Sequence, residues 1–166
     1  MENLVFILAT TLAYRISSSK RFRRYPIGNT GRSVLLPRGF DGFDHCTTQH
    51  GDRFYLGESS SEAANYGVIY IDLKEEFDVA DAELILSSYI SRLHTPFSIA
   101  YNTGIHHCQS MEQSGTRVII DYWQDEWGVD WKIKGYTNGH FLALLYVQNI
   151  NDGDVEKQEA FLSGME

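Results

Sequence analysis

Histidine and cysteine, two side chains that bind zinc, are concentrated in two short segments of this chain. The first is DHCTTQH, residues 44–50, and the second is GIHHCQS, residues 104–110. Together they contain both cysteines and four of the six histidines. Structural zinc prefers thiolate sulfur and imidazole nitrogen, and four such ligands complete its tetrahedral shell. The segments therefore offer one candidate zinc set, which consists of Cys46, His50, His106 and Cys108.

The same residues allow two other interpretations. A Cys46–Cys108 disulfide would require an oxidising compartment. Neither segment has a zinc-finger spacing such as CxxC, so the pattern favours packing or loop residues over a metal site or a bridge. On a strand, His106 and Cys108 share one face while His107 takes the other. The zinc site and the disulfide both require that face to contact the loop-like residues 41–52. Packing or loop residues do not require this contact.

A second concentration of functional side chains is DYWQDEWGVDW, residues 121–131. Its three tryptophans recur every four residues, but the flanking Thr, Val and Ile favour a β-hairpin with its turn at residues 125–128. Trp127 is then expected at an exposed tip, where an indole is a suitable contact for a ligand or a partner. The candidate ligand or partner surface consists of Trp123, Trp127 and Trp131.

The same stretch contains two pairs of carboxylates of the kind that glycoside hydrolysis uses, Asp121 with Glu126 and Asp125 with Asp130. Their separation does not follow from the sequence, and carboxylates are rarely buried, so we expect solvated turn residues. The sequence has no Gly-rich phosphate loop, no GxSxG and no HExxH, which are the signatures of several large enzyme classes.

Composition limits the partners. The chain has 166 residues, of which 43% are hydrophobic and 22% charged, as in a globular domain. Its formal net charge is −8, whereas a nucleic-acid binder needs a basic surface to neutralise phosphates. The one basic cluster, at residues 20–24, is expected to be a solvated loop. We therefore expect no nucleic acid and a protein or small-ligand partner.

The N-terminus has an apolar run, LVFILATTL at residues 4–12, that is too short to span a bilayer. Glu2 stands where a signal peptide has Lys or Arg, so a buried strand or helix and a cytoplasmic location are favoured, with export as the alternative. We predict a single domain over residues 1–166. It would consist of an N-terminal apolar segment at 1–16, a polar connection at 17–33 and a main α+β body at 34–166.

Hydrophobic periodicity predicts the elements of that body. An amphipathic helix is expected at residues 80–93, capped by Asp78 or Asp81, and a closing helix at residues 154–165. Three long strands are expected at residues 116–124, 129–137 and 140–150. The last should be central because it is apolar on both faces.

Further elements are predicted around these. Asn138-Gly139 suits a type I′ hairpin turn, and residues 96–101 and 105–111 suit a strand pair. Strands are expected at residues 53–56 and 68–73. Between them, SSSEAANYG at residues 59–67 has the capping-box spacing of a short helix. The fold class is therefore α+β, an antiparallel meander covered by amphipathic helices.

The order of these elements resembles a known family. GRSVLLPRGFD, residues 31–41, is similar to the opening strand and "LP" turn of PsbP/DcrB-like domains, and the resemblance continues through RFYLGES, YGVIYIDL, DAELILSSYISRL and KQEAFLSGM. It covers roughly residues 30–166 and implies an α/β/α sandwich. Members of that family serve as photosystem II extrinsic subunits, bacterial lipoproteins and a nuclear-import GTPase cofactor. The resemblance implies a non-catalytic accessory or binding module without a cofactor, and it assigns no site residues.

The N-terminal half also resembles the ADP-ribosyltransferase pattern, in Tyr14-Arg15 and in RFYLGESSSEAANYG at residues 53–67. This resemblance implies an enzyme that uses NAD, with a strand and a small-residue helix around the pocket. It implies Arg15, Tyr55 and Tyr66 as pocket residues. A glutamate on a late strand should complete such a site, but Glu112 and Glu126 fall in predicted turns. The NAD enzyme is therefore the alternative to the binding module.

Overall fold

The computed structural model describes residues 21–108, 115–151 and 154–166. The apolar segment 1–16, for which a strand or helix is expected, lies outside these ranges. Within the ranges the strands are β1 (Phe22–Pro26), β2 (Ser33–Pro37), β3 (Asp44–Thr47), β4 (Arg53–Ser60), β5 (Ala64–Asp72), β6 (Ile99–Asn102), β7 (His106–Cys108), β8 (Arg117–Asp125), β9 (Asp130–Thr137) and β10 (Phe141–Asn149). The helices are α1 (Val79–Arg92) and α2 (Val155–Leu162).

One large antiparallel sheet organises the molecule. Its strand order is β3-β4-β5-β10-β9-β8, and both β6 and β7 pair with the free edge of β8. Strand β10 lies between β5 and β9, and residues 141–147 are all buried, so the predicted central position is confirmed. The α+β class and the β8-β9-β10 meander are confirmed as well.

The amphipathic helix α1 forms where the periodicity predicts it. The Asp78 carboxylate accepts a hydrogen bond from the Ala80 amide at 2.9 Å and caps the first turn. Leu86 and Ile90 are buried against the sheet, whereas Leu84 on the other side of the helix is 70% exposed. The helix therefore buries one apolar stripe, as an amphipathic surface helix does.

The core lies on both faces of the large sheet. Along β5, Ile69 and Ile71 pack in the cluster that contains the buried residues of α1, while Val68 and Tyr70 pack in a second cluster. The second cluster also contains Phe161 of α2 and buried residues of the small β1–β2 sheet. Alternate residues of one strand point to opposite faces, so α1 covers one face and α2 with the β1–β2 hairpin lies on the other.

The short helix predicted at residues 59–67 is wrong, because β4 and β5 join there as a hairpin. The Ser61 hydroxyl accepts from the Ala64 amide at 3.1 Å and donates to the Ala64 carbonyl at 3.0 Å. This closes a tight loop between Ser60 and Ala64. A serine that bonds its neighbouring backbone serves a turn as well as a helix cap, and pairing with β10 favours the strand.

A polar connection is predicted at residues 17–33, and this prediction is wrong for the part that the structure describes, residues 21–33. Residues 22–26 form β1, which pairs with β2 in register from Phe22↔Pro37 to Pro26↔Ser33. Arg24 of the basic cluster donates to the Gly164 carbonyl at 2.9 Å and pairs with Glu166. The main body therefore begins before residue 34, and part of the basic cluster is a strand instead of a solvated loop.

Two details of the strand connections also differ from the prediction. Strands β6 and β7 do not pair with each other, since each pairs with β8. The β9–β10 hairpin is confirmed, but its turn is not type I′, because Gly139 has a φ of 92° and Asn138 has no positive φ. The Asn138 side chain instead accepts from the His140 amide at 3.0 Å, which stabilises another turn geometry.

Candidate functional site

The histidine and cysteine segments lie at opposite edges of the sheet. Cys46 is on β3 at one edge and β7 is at the other, which leaves six interstrand spacings between them, or about 29 Å at 4.8 Å each. Zinc ligands lie about 2.0–2.3 Å from the metal, and disulfide-bonded Cα atoms lie about 4.4–6.8 Å apart. The strand order therefore does not bring Cys46 and His50 together with His106 and Cys108, and it does not support a zinc site or a disulfide made from these residues.

Other observations agree with this separation. Cys46 has a free thiol and is half-buried. Among the described residues, no group of three or more His, Cys, Asp or Glu side chains is placed to hold a metal ion. The loop-like interpretation of residues 41–52 also changes, because β3 pairs with β4 there, with His45 opposite Tyr55.

The residues of the ADP-ribosyltransferase resemblance are not brought together. Arg15 lies outside the described residues. Tyr55 pairs with Tyr70, and Tyr66 pairs with Ser59, which places the two tyrosine positions four residues apart along β4, about 13 Å. Tyr66 is buried between the rings of Phe22 and Phe161. The pattern requires a helix after β4, but the chain forms the β4–β5 hairpin there. This geometry does not support an NAD pocket between Tyr55 and Tyr66.

The glutamates of that resemblance do not complete a site either. Glu112 lies outside the described residues. Glu126 is exposed in the β8–β9 turn, and its amide donates to the Ser98 carbonyl at 2.9 Å. Among the described residues, neither glutamate therefore lies on a late strand beside Tyr55.

The three tryptophans divide between core and surface. Trp123 and Trp131 pair across β8 and β9 and are 2% and 8% exposed, whereas Trp127 at the turn is 73% exposed. The hairpin and its exposed tip are confirmed. A surface made of all three indoles is wrong, because strand alternation directs Trp123 and Trp131 into the core beneath α1.

We expect replacement of Trp127 with Ala to change the free energy of unfolding by no more than about 0.5 kcal/mol, because an exposed side chain loses little packing. Urea denaturation followed by circular dichroism measures this change. Trp131→Ala is the matched comparison, and it should destabilise the protein by about 3–5 kcal/mol as a large core truncation does. A comparable loss in both variants would show that Trp127 also contributes to the core.

The carboxylates of the tryptophan hairpin have a structural role. Asp121 and Asp125 are 1% and 2% exposed, so their predicted position as solvated turn residues is wrong. Asp121 accepts from the Trp123 indole at 2.7 Å, and Asp125 accepts from the Trp131 indole at 2.9 Å. Their oxygens also accept backbone hydrogen bonds. Buried acids saturated in this way are not available as an acid–base pair.

An aromatic cleft lies on the other face of the sheet, between the β1–β2 hairpin and the β3–β4 edge. Its volume is about 290 Å³. Five of its lining side chains are aromatic or imidazole rings, and the rest are glycines and a proline. The lining consists of Tyr25, Pro26, Gly28, Phe40, Gly42, Phe43, His45 and Tyr55.

Local sequence explains how the rings reach this position. Tyr25 lies on β1, and the turn after β2 is closed by a hydrogen bond from the Phe40 amide to the Pro37 carbonyl at 3.3 Å. In the same turn the Gly39 amide donates to the Tyr25 hydroxyl at 3.2 Å. The hairpin therefore fixes Tyr25 and Phe40 relative to each other.

Two glycines allow the close packing of the cleft. Gly28 has a φ of 51°, and a Cβ there would lie 2.3 Å from the ring of Tyr55. Gly57 on β4 lies beneath both Phe40 and Phe43, and a Cβ would lie 2.7 Å from each ring. Only a residue without a side chain permits such an approach. The positions of three rings thus depend on these two glycines.

The rings meet at steep angles. Tyr25 and Phe40 have centroids 5.2 Å apart at an interplanar angle of 77°, and Phe40 and Phe43 are 4.9 Å apart at 68°. His45 stacks on Tyr55 at 6.3 Å and 25°. The Tyr25–Phe40 and Phe40–Phe43 pairs are edge-to-face, which is favourable because the positive edge of one ring meets the negative face of the other. Three successive rings therefore form a corner.

The ionisable side chains that line the cleft are those of Tyr25, His45 and Tyr55. Its lining contains no carboxylate, lysine or arginine. Tyr70 packs behind Tyr55 at 6.2 Å, and burial raises the pKa of Tyr70 to about 12, so this phenol stays neutral near pH 7. His45 is exposed, and imidazole is the side chain that most often acts as a general acid or base. The lining contains no Ser, Thr, Cys or carboxylate side chain beside His45.

Comparisons with known proteins do not assign the chain to a family. No family model matches the sequence, and no curated protein matches it either.

The sequence has a pattern that marks the residues of this cleft, but the polar residues around it make the segments look like ordinary loops. Residues 17–33 and 41–52 look like loops, yet each aromatic residue of the cleft in and around them adjoins a glycine or proline. The pairs are Tyr25-Pro26, Gly39-Phe40 and Gly42-Phe43. Binding residues are often found on loops that a rigid scaffold positions, so these aromatic residues in polar segments were the available signal.

Proposed function

We propose that the chain is a non-catalytic binding module whose ligand enters the aromatic cleft. The lining of the cleft carries this proposal, because five of its eight residues have ring side chains and none is a carboxylate, lysine or arginine. Ligand sites are concave, largely apolar and often lie between structural units, here between the small hairpin and the large sheet. Exposed Trp127 is a second contact surface, at the far end of the meander.

The proposed relation to PsbP/DcrB-like domains agrees with this function. The element order favours it, and the placement of helices on both faces of the sheet is what an α/β/α sandwich requires. The β1–β2 hairpin shares its face with α2, so that layer contains strands as well as a helix. An accessory role with a protein or small-ligand partner, and no resident cofactor, remains the proposed function of such a domain.

Amide chemical shifts during titration test the proposal. The protein would be titrated with a panel of small neutral, cationic and anionic compounds that includes NAD. We expect the binders to shift the amides of Gly28, Gly42 and Gly57, because these line or lie beneath the cleft. Phe43→Ala removes one wall and should weaken binding about tenfold, as loss of an aromatic anchor does.

Tyr101→Ala is the matched control, since this exposed tyrosine lies on β6, across the sheet from the cleft. It should leave every affinity unchanged. Shifts confined to other surfaces would contradict the assignment of the cleft. Consumption of NAD by the purified protein would contradict the non-catalytic function and support the enzyme alternative.

A further inference from the structure

We infer that the aromatic cleft binds a small solute with a trimethylammonium group, an inference that rests on the proposed binding function. A lining of rings without Arg or Lys offers an anion no partner to replace its lost water. A quaternary ammonium ion has no N–H group to satisfy and interacts with the negative faces of aromatic rings. The chemistry of the lining thus selects for a methylated cation.

The ring geometry fits this ligand. Tyr25, Phe40 and Phe43 meet at 77° and 68°, so they form a corner and not a flat stack. In each edge-to-face pair the edge of one ring covers a face of the other, and the remaining faces of the corner point in more than one direction, unlike those of a flat stack. The tetrahedral head of a trimethylammonium group contacts several such faces at once, as in known aromatic cages.

The size of the cleft favours a head group over a large ligand. Small-molecule sites have volumes of about 300–1,000 Å³, and the volume of this cleft, about 290 Å³, lies just below that range. Gly57 supports Phe40 and Phe43 from below, so these walls cannot retreat into the sheet. A compact solute fits, whereas a dinucleotide would extend well beyond the cleft.

The charge of the protein supports a cation. The formal net charge is −8, and a negative field raises the local concentration of cations. Asp41 and Asp44 are exposed and flank Gly42 and Phe43 in the chain. The hairpin segment has five arginines, and none of them lines the cleft: Arg21, Arg23, Arg24, Arg32 and Arg38.

A pair of isosteric probes tests the inference. Choline and 3,3-dimethyl-1-butanol have the same shape, but the second has a neutral carbon in place of the charged nitrogen. Amide titrations give both affinities on the same protein. We expect choline to bind at least about tenfold more tightly, in the range of a partly desolvated cation–π contact.

Variants of one wall separate the ring from its bulk. Phe43→Leu keeps an apolar side chain but removes the π face, so it should weaken choline several-fold and leave dimethylbutanol nearly unchanged. Phe43→Tyr keeps the ring and should restore choline binding. Tyr101→Leu is the matched control on a distant exposed ring and should change neither affinity.

The outcomes distinguish this inference from the function on which it rests. Equal binding of both probes at the cleft would overturn the preference for a cation and still support a binding module. Binding of another panel compound at the cleft without choline would do the same. If no compound of the panel shifts the cleft amides, both the inference and the proposed function fail.

Discussion

Replacement of Asp125 with Ala is expected to lower the free energy of unfolding by about 3–5 kcal/mol, because the buried carboxylate accepts four hydrogen bonds. Its Oδ2 accepts from the Trp131 indole at 2.9 Å and from Gln148 at 3.3 Å. Its Oδ1 accepts from the amides of Trp127 and Val129 at 3.0 and 2.9 Å. A buried hydrogen bond to a charged group contributes about 1.5–3 kcal/mol, and each donor left unpaired adds a desolvation cost.

Chemical denaturation of wild type and variant measures this loss. Asp130→Ala is the matched control, because Asp130 lies near the same turn, is exposed and accepts one hydrogen bond, from Gln124 at 3.0 Å. We expect that control to stay within about 0.5 kcal/mol of wild type. A loss below about 1 kcal/mol for Asp125→Ala would show that the turn forms without its carboxylate.

Gly67→Ala is expected to destabilise the protein by about 3 kcal/mol or more, the upper range for overpacking. The ring of Tyr146 lies across β5 directly over Gly67, and a Cβ there would lie 1.9 Å from its Cζ. The ring cannot easily move aside, because Phe97 and Trp131 pack against it with centroids 5.2 and 5.7 Å away. Its hydroxyl also donates to the Glu58 carboxylate.

A double-mutant cycle identifies the cause of the loss. Tyr146→Leu shortens the side chain, so Gly67→Ala should cost much less in that background than in wild type. Contacting residues show coupling energies of about 0.5–3 kcal/mol in such cycles. Additive losses would mean that the added methyl group acts through the backbone of β5 and not through the ring. Thermal or urea unfolding of the four proteins provides the values.

Both residues support the face of the sheet that α1 covers, whereas the cleft lies on the opposite face. Along β4, Phe54 packs in the α1 cluster while Tyr55 lines the cleft. The cleft therefore depends on the sheet for its floor and on the β1–β2 hairpin for its outer wall. Variants of the cleft rings need not disturb the Asp125 or Tyr146 contacts.

Elements with strong local patterns were predictable. Helix α1 follows from its apolar stripe and from Asp78, which caps it through a contact only two residues away. Strand β10 follows from a continuous apolar run, and β9 from the alternation of Trp131 and Ile133 with two lysines. These signals lie within a single element, so no knowledge of distant residues is required to interpret them.

Elements whose state depends on distant partners were not predictable in the same way. Ser61 suits either a helix start or a hairpin turn, and pairing of β5 with β10, about eighty residues later, decides for the hairpin. Strand β1 is short and polar, and it forms because β2 pairs with it and because α2 closes over the same face. Local propensity is too weak to decide such cases.

The sequence by itself determined the α+β class, the long amphipathic helix, the meander and the exposed tip at Trp127, because periodicity and turn chemistry act between near neighbours. Only the tertiary structure decided which side chains meet. Strand order places Cys46 and β7 at opposite edges of the sheet, and it brings Tyr25 and Phe40 of the hairpin segment to Tyr55 of β4. A site is a set of contacts between residues distant in sequence, and the fold alone determines those contacts.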